Sequence, residues 1–82
     1  MVATVNVGMT PFELAFRPDG ARVFVANRQS GNVSVIDTAS NLVVKTVAVG
    51  NQPLGAAVNA AGTRAYVINQ LSGSVSVIDT SI

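Results

Sequence analysis

The sequence predicts an all-β protein, and three observations carry that reading. The chain repeats itself, its apolar segments are short and rich in β-branched residues, and its connectors are tight Gly, Pro, Asp and Ser turns. Shifting the sequence by 42 residues aligns 2–40 with 44–82 without a gap, and 19 of the 39 pairs are identical. The shared set includes Gly8/Gly50, Pro11/Pro53, Gly20/Gly62, Arg22/Arg64, Asn27/Asn69 and the run VSVIDT. A period of this length fits a four-stranded propeller blade and also falls in the range of helical repeat units, so the segments themselves must decide.

They decide for strands. ARVFVAN (21–27) and TRAYVIN (63–69) combine β-branched and aromatic residues in runs too short for core helices. NVSVIDT and SVSVIDT read the same way, as do VATVNVG and VVKTVAVG. FELAFRPDG and LGAAVNAAG occupy equivalent places, and the small residues of the second suit a strand under close sheet packing. Between strands, RPDGAR puts a fixed φ, an Asx-type hydrogen bond and a positive φ where a tight turn requires them. NRQSGN and NQLSGS place Ser-Gly in the next turn, and DTASN forms the third. Short connectors make sequential strands antiparallel neighbours.

The expected fold is therefore an all-β β-propeller with two four-stranded antiparallel blades per chain. FELAFR is the innermost strand, RVFVAN the second, VSVID the third and LVVKTVAV the outermost. Residues 12–49 make a complete blade and 54–79 a three-stranded partial one. The strand it lacks has its counterpart at 2–7, where VATVNV aligns with VKTVAV. An unpaired strand edge is a template for pairing. The expectation is that 2–7 is donated as outermost strand to a neighbouring protomer, with the ring completed by homo-oligomerisation. A head-to-tail contact of this kind closes or runs on as a filament. Six or eight blades, a homotrimer or homotetramer, are the expected closures.

The runs RVFVANRQSGNVSVIDTASNLVVKTVAVGNQP and RAYVINQLSGSVSVIDT resemble the YVTN family of β-propeller repeats. The namesake tetrapeptide stands here as FVAN at 24–27 and YVIN at 66–69, each following a tight turn. The resemblance covers nearly the whole chain. It implies the propeller fold and a cell-surface or extracytoplasmic origin, and it names no shared activity. Family members carry more blades per chain, so two blades point to an excised or engineered piece of a longer array.

Composition narrows the function classes. Hydrophobic residues are 49% of the chain and charged residues 11%, against about 25% charged in an ordinary domain. That excess suits a chain that buries surface against copies of itself. No apolar run approaches the ~18 residues of a spanning helix, so no membrane insertion is expected. A net charge of +1 makes no electrostatic case for nucleic acid.

The chain has no His and no Cys, and its carboxylates are Glu13, Asp19, Asp37 and Asp79. Acid–base and nucleophilic catalysis most often rest on such groups beside a base, so no enzyme and no cofactor is expected. Asp37 and Asp79 end the third strand and are expected to hold the turn that follows. With Asn27 opposite Asn32, Arg22 falls opposite Asp37 and Arg64 opposite Asp79, as register-fixing ion pairs. Asn27 and Asn69 are expected to bond neighbouring loop backbone, and Phe12, Phe16, Phe24 and Tyr66 to pack between blades. Glu13, early in an innermost strand, is the one weak metal candidate, as a carboxylate recurring along a central channel.

Two function classes remain. The first is a structural module that self-assembles into a closed propeller. The second is a multivalent binding module for a glycan or surface protein. It would use loops 8–11, 27–32, 50–53 and 69–74, with Arg28, Gln29, Gln52 and Gln70 presented on one face.

Overall fold

The computed structural model describes residues 3–81. Seven strands run β1 (Pro11–Phe16), β2 (Arg22–Asn27), β3 (Asn32–Asp37), β4 (Leu42–Ala48), β5 (Pro53–Val58), β6 (Arg64–Asn69) and β7 (Ser74–Asp79). They form two antiparallel sheets, β1-β2-β3-β4 and β5-β6-β7, and the described residues contain no helix. Each sheet is a meander in chain order, as short hairpin connectors dictate. Residues 3–7 form no strand within the chain. Val2, the first residue of the expected outer strand, lies outside the described residues.

The turns follow the local chemistry of their residues. In RPDG the Arg17 carbonyl accepts from Gly20 N–H at 2.8 Å, Asp19 Oδ1 accepts from Ala21 N–H at 3.0 Å, and Gly20 takes φ 74°. That left-handed conformation is open to glycine at little cost. The second repeat closes the same turn from Asn59, whose carbonyl accepts from Gly62 N–H at 2.9 Å. The connectors leading into β1 and β5 are also stitched alike. Met9 N–H donates to Ser30 Oγ at 2.6 Å, and its counterpart Asn51 N–H donates to Ser72 Oγ at 2.7 Å. Thr10 and Gln52, one residue before each strand, share a positive φ of 55° and 52°.

One face of the first sheet packs on one face of the second. Phe24, Val33 and Val35 meet Ala65, Val67 and Ile78 in a single core, with Val47, Val49, Ala56 and Val58 at its margin. Of the four aromatics expected between blades, only Phe24 is enclosed within the chain. Phe12, Phe16 and Tyr66 are exposed. The reason is register: Phe16 pairs with Val23 on the opposite face of the first sheet, and Tyr66 pairs with Val77 on the opposite face of the second. The chain thus encloses one sheet–sheet interface and leaves one face of each sheet unmatched.

Candidate functional site

The β2–β3 ladder pairs Arg22 with Asp37 and Asn27 with Asn32, and β6–β7 pairs Arg64 with Asp79. Arg22 and Asp37 make a 3.1 Å ion pair, whereas Arg64 and Asp79 stand 4.0 Å apart and are more exposed. Cross-strand pairs of this kind contribute roughly 0.2–1 kcal/mol, the looser one at the low end because water screens it. Asp37 also holds the next turn, accepting from Ala39 N–H at 3.2 Å and from the Ser40 hydroxyl at 3.2 Å. Asp79 accepts from Ser81 N–H at 3.0 Å, and that bond draws its carboxyl below the usual carboxylate range. Both acids are committed to local structure.

Asn69 is buried between the sheets. Its Nδ2 donates to Ser76 Oγ at 2.8 Å and Ser74 Oγ at 3.3 Å, while its Oδ1 accepts from Gly50 N–H at 3.1 Å. Gly50 must be glycine, because a Cβ there would stand 2.8 Å from Asn69 Cγ. Asn27 repeats the donor half of this arrangement, to Asn32 Oδ1 at 2.9 Å and Ser34 Oγ at 2.8 Å. Its Oδ1 is buried without a partner. The expected bond to loop backbone is thus made by Asn69 alone; Asn27 bonds Asn32 and Ser34 instead, and a strand serine, Ser34 or Ser76, is the partner the two asparagines have in common. The serine in second place of each VSVID run, Ser34 and Ser76, was the available sign: a small polar residue held in an apolar strand.

The residues of the expected loop face come together at one edge, where the Arg28 and Gln52 side chains bond each other and Gln29 bonds Thr10. Arg28 Nη2 donates to Gln52 Oε1 at 3.3 Å, and the Arg28 guanidinium lies 5.9 Å from the Phe12 ring centroid. Gln29 Oε1 accepts from the Thr10 hydroxyl at 2.6 Å. Gln70 is exposed, and its backbone N–H donates to the Gln52 carbonyl at 3.0 Å. Glu13 is exposed on β1, near Gly55, its counterpart in the other repeat. Among the described residues no three carboxylates gather into a metal-binding group.

At the opposite edge an open cleft of about 480 Å³ runs between the first turn of each sheet, lined by Arg17, Asp19, Gly62, Arg64, Asp79 and Thr80 among others. Arg17 donates to both Asp19 oxygens at 2.9 and 2.8 Å and to the Thr80 carbonyl at 2.9 Å. The two bonds from Arg17, with that from Ala21 N–H, lower the pKa of the Asp19 carboxyl to about 2. The Thr80 hydroxyl donates to the Gly62 carbonyl. Of these bonds, the one from Arg17 to the Thr80 carbonyl ties the first sheet's turn to the end of the second sheet.

What remains unmatched is apolar. Leu14 and Phe16 are exposed on the outer face of the first sheet, beside the nearly covered Val23 and Val25. Tyr66, Ile68, Val75 and Val77 are exposed on the outer face of the second.

Solved structures share this architecture. The chain is similar to Kuenenia stuttgartiensis hydrazine synthase, with a TM-score of 0.84 and 36% identity, over 93% of this chain and 22% of that one. It is also similar to a functionally unknown protein from Desulfotomaculum acetoxidans DSM 771, with a TM-score of 0.72 and 29% identity, over 88% of this chain and 27% of that one. The chain therefore spans only 22% of the first neighbour's length and 27% of the second's. No family model and no curated protein matches it. The likenesses support a small all-β fold related to a β-propeller-like domain. Hydrazine synthase is a much longer chain, and its activity is not carried over to these residues.

Proposed function

We propose that the chain is a structural, self-assembling β-propeller module whose copies associate head to tail and close into a ring. One observation carries this reading. Tyr66, Ile68, Val75 and Val77 are 41%, 55%, 56% and 58% exposed, while their counterparts one repeat earlier, Phe24, Ala26, Val33 and Val35, are all 0% exposed. The same pattern of side chains is enclosed in one sheet and open to water in the other. Enclosing large apolar side chains contributes roughly 1.5–3 kcal/mol each, which favours association through this face.

The covering surface has a counterpart within the chain. Ala56, Val58, Ala65, Val67 and Ile78 cover the first sheet's inner face. Their equivalents one repeat earlier are Leu14, Phe16, Val23, Val25 and Ile36, which line the opposite side of the first sheet. The second sheet of one copy therefore fits the first sheet of the next. The two patches differ, so the contact is heterologous and propagates until it closes.

Propellers close with about four to eight blades; pairs of blades give four, six or eight, and because a four-bladed ring needs an unusually steep wedge between sheets, six or eight blades in a homotrimer or homotetramer are favoured. Native mass spectrometry at micromolar concentration is expected to show three or four protomers in one closed species. A stable monomer at that concentration would contradict the reading.

A further inference from the structure

The third and fourth strands of the first sheet pair Asn32 with Ala48, Val33 with Val47, Ser34 with Thr46 and Val35 with Lys45. One residue beyond the ladder, Val49 N–H donates to the Gly31 carbonyl at 3.1 Å, and Gly50 N–H then reaches Asn69 Oδ1 at 3.1 Å in the second sheet. The end of β4 is thereby tied to the second sheet. In the second sheet β7 is the last strand, and its outer edge carries no strand among the described residues.

Residues 3–8 match 45–50 by the repeat, with Thr4, Val5, Val7 and Gly8 identical to their counterparts. Their position agrees with that match. Asn6, Val7 and Gly8 lie over the outer face of the first sheet, lining a small cleft with Asn32, Ser34, Val43 and Thr46. Gly8 lies so close to Asn27 that a Cβ would stand 2.7 Å from Asn27 Cγ, nearly the 2.8 Å separating the same atoms at Gly50 and Asn69. One bond differs. Asn69 Oδ1 accepts from Gly50 N–H, and Asn27 Oδ1, equally buried, has no partner. A buried acceptor without a donor is costly, and here the matching donor belongs to the residue already against it.

Resting on the self-association proposed above, we infer that residues 3–7 add to the outer edge of β7 in a second copy of this chain. The register is that of β3 and β4 displaced by one repeat. Asn6 pairs with Ser74, Val5 with Val75, Thr4 with Ser76 and Ala3 with Val77, while Val7 N–H donates to the Gly73 carbonyl. Seating the strand turns the connector so that Gly8 N–H meets Asn27 Oδ1 in the donor chain. Backbone hydrogen bonds then supply affinity, as in other strand additions. Val5 and Val7 join Tyr66, Val75 and Val77 as Val47 and Val49 join Phe24, Val33 and Val35.

Crosslinking between chains tests the register, and the chain has no cysteine to interfere. The Val49–Gly31 bond marks a hydrogen-bonded pair, so Asn32/Ala48, and by repeat Ser74/Asn6, is a non-bonded pair. The short Cα separation at such a pair suits a disulfide. One preparation carries Asn6→Cys and the other Ser74→Cys, and the two are mixed unfolded, refolded together and oxidised, so that an Asn6–Ser74 crosslink can form only between chains. A covalent heterodimer that disappears on reduction is expected. Asn6→Cys with Ser76→Cys, two residues out of register, is expected to give little of it. Gly8→Ala in the Asn6→Cys chain is expected to suppress the correct crosslink, and an undiminished yield would overturn the Asn27 seat.

Light scattering on the mixtures before oxidation separates the two levels of the account. Rings that crosslink equally at both pairs, or at neither, overturn the register and leave self-association standing. Monomers overturn both. Each single variant is compared with the unaltered chain by circular dichroism, and Val5→Cys with Val75→Cys provides a second in-register pair if either variant unfolds.

Discussion

Deleting residues 1–7 is expected to abolish the closed ring and leave a chain that aggregates or forms open polymers. The deletion spares the connector that anchors β1, since Met9 and Thr10 keep their bonds to Ser30, Arg28 and Gln29. Among the described residues, it removes the segment, 3–7, that matches β4 and lies in no sheet. The outer edge of SVSVID is then left open in every protomer, with Val75, Val77 and Ile78 along it and Asp79 as its single charge. Natural edges are defended by charge, proline or bulges, and this one has little of that defence. A short β-rich segment of low charge in that setting is prone to non-native pairing. Size-exclusion chromatography with light scattering reads the result. Adding a VATVNVG peptide is expected to restore part of the assembly. A truncated chain that forms the same ring with undiminished stability would show that these residues are not the outer strand.

The second large effect is expected at Tyr66. Its counterpart Phe24 is fully enclosed between the sheets, and Phe24→Ala should cost about 3–5 kcal/mol of folding stability. Tyr66 is substantially exposed in the single chain. For a surface residue of that kind, Tyr66→Ala should change the stability of one chain by no more than about 0.5 kcal/mol. In the ring the same side chain lies where Phe24 lies, and truncating such an interface anchor costs about 2 kcal/mol or more. That is roughly a 30-fold weaker contact. Sedimentation equilibrium should therefore show weakened assembly beside unchanged far-ultraviolet circular dichroism. Unaltered assembly would place Tyr66 outside any interface.

These effects depend on which face of each strand is covered, and that was the part least legible in the sequence. The strands themselves were plain, because RVFVAN, VSVID and their repeats are short, β-branched and bounded by turn residues. The Arg22–Asp37 pairing also followed from hairpin register, since placing Asn27 opposite Asn32 leaves no other partner. Covered faces did not follow. β2 is apolar on both sides, with Phe24 and Ala26 alternating with Val23 and Val25, so alternation cannot say which side meets the other sheet. Phe12, Phe16 and Tyr66 therefore looked like Phe24, although the single chain covers only Phe24.

The asparagine network was legible in part. Gly8/Gly50, Asn27/Asn69 and Ser34/Ser76 recur together at a spacing of 42 residues. Their meaning lies in a contact across the blade boundary that spacing alone does not reveal. The glycine allows the connector to lie against the asparagine, and the serine takes the asparagine's amide hydrogens. The resemblance to YVTN repeats anticipated a β-propeller-like fold, and it carried no information about the binding groups of the loop edge. There Arg28, Gln29 and Gln52 are largely occupied by one another and by Thr10.

Amide hydrogen exchange at Val75 and Val77 tests the central claim most directly. In the first sheet the pairing of Val33 with Val47 and Val35 with Lys45 turns the N–H groups of Val33 and Val35 toward β4. By the same alternation the N–H groups of Val75 and Val77 point out of β7, away from β6. If a second copy supplies the missing strand, these two amides exchange as slowly as those of Val33 and Val35 at concentrations where the chain is assembled, and they lose that protection on dilution. Fast exchange at Val75 and Val77 in an assembled sample would mean that the edge of β7 stays open, and the strand-completed ring would be the wrong account of this chain.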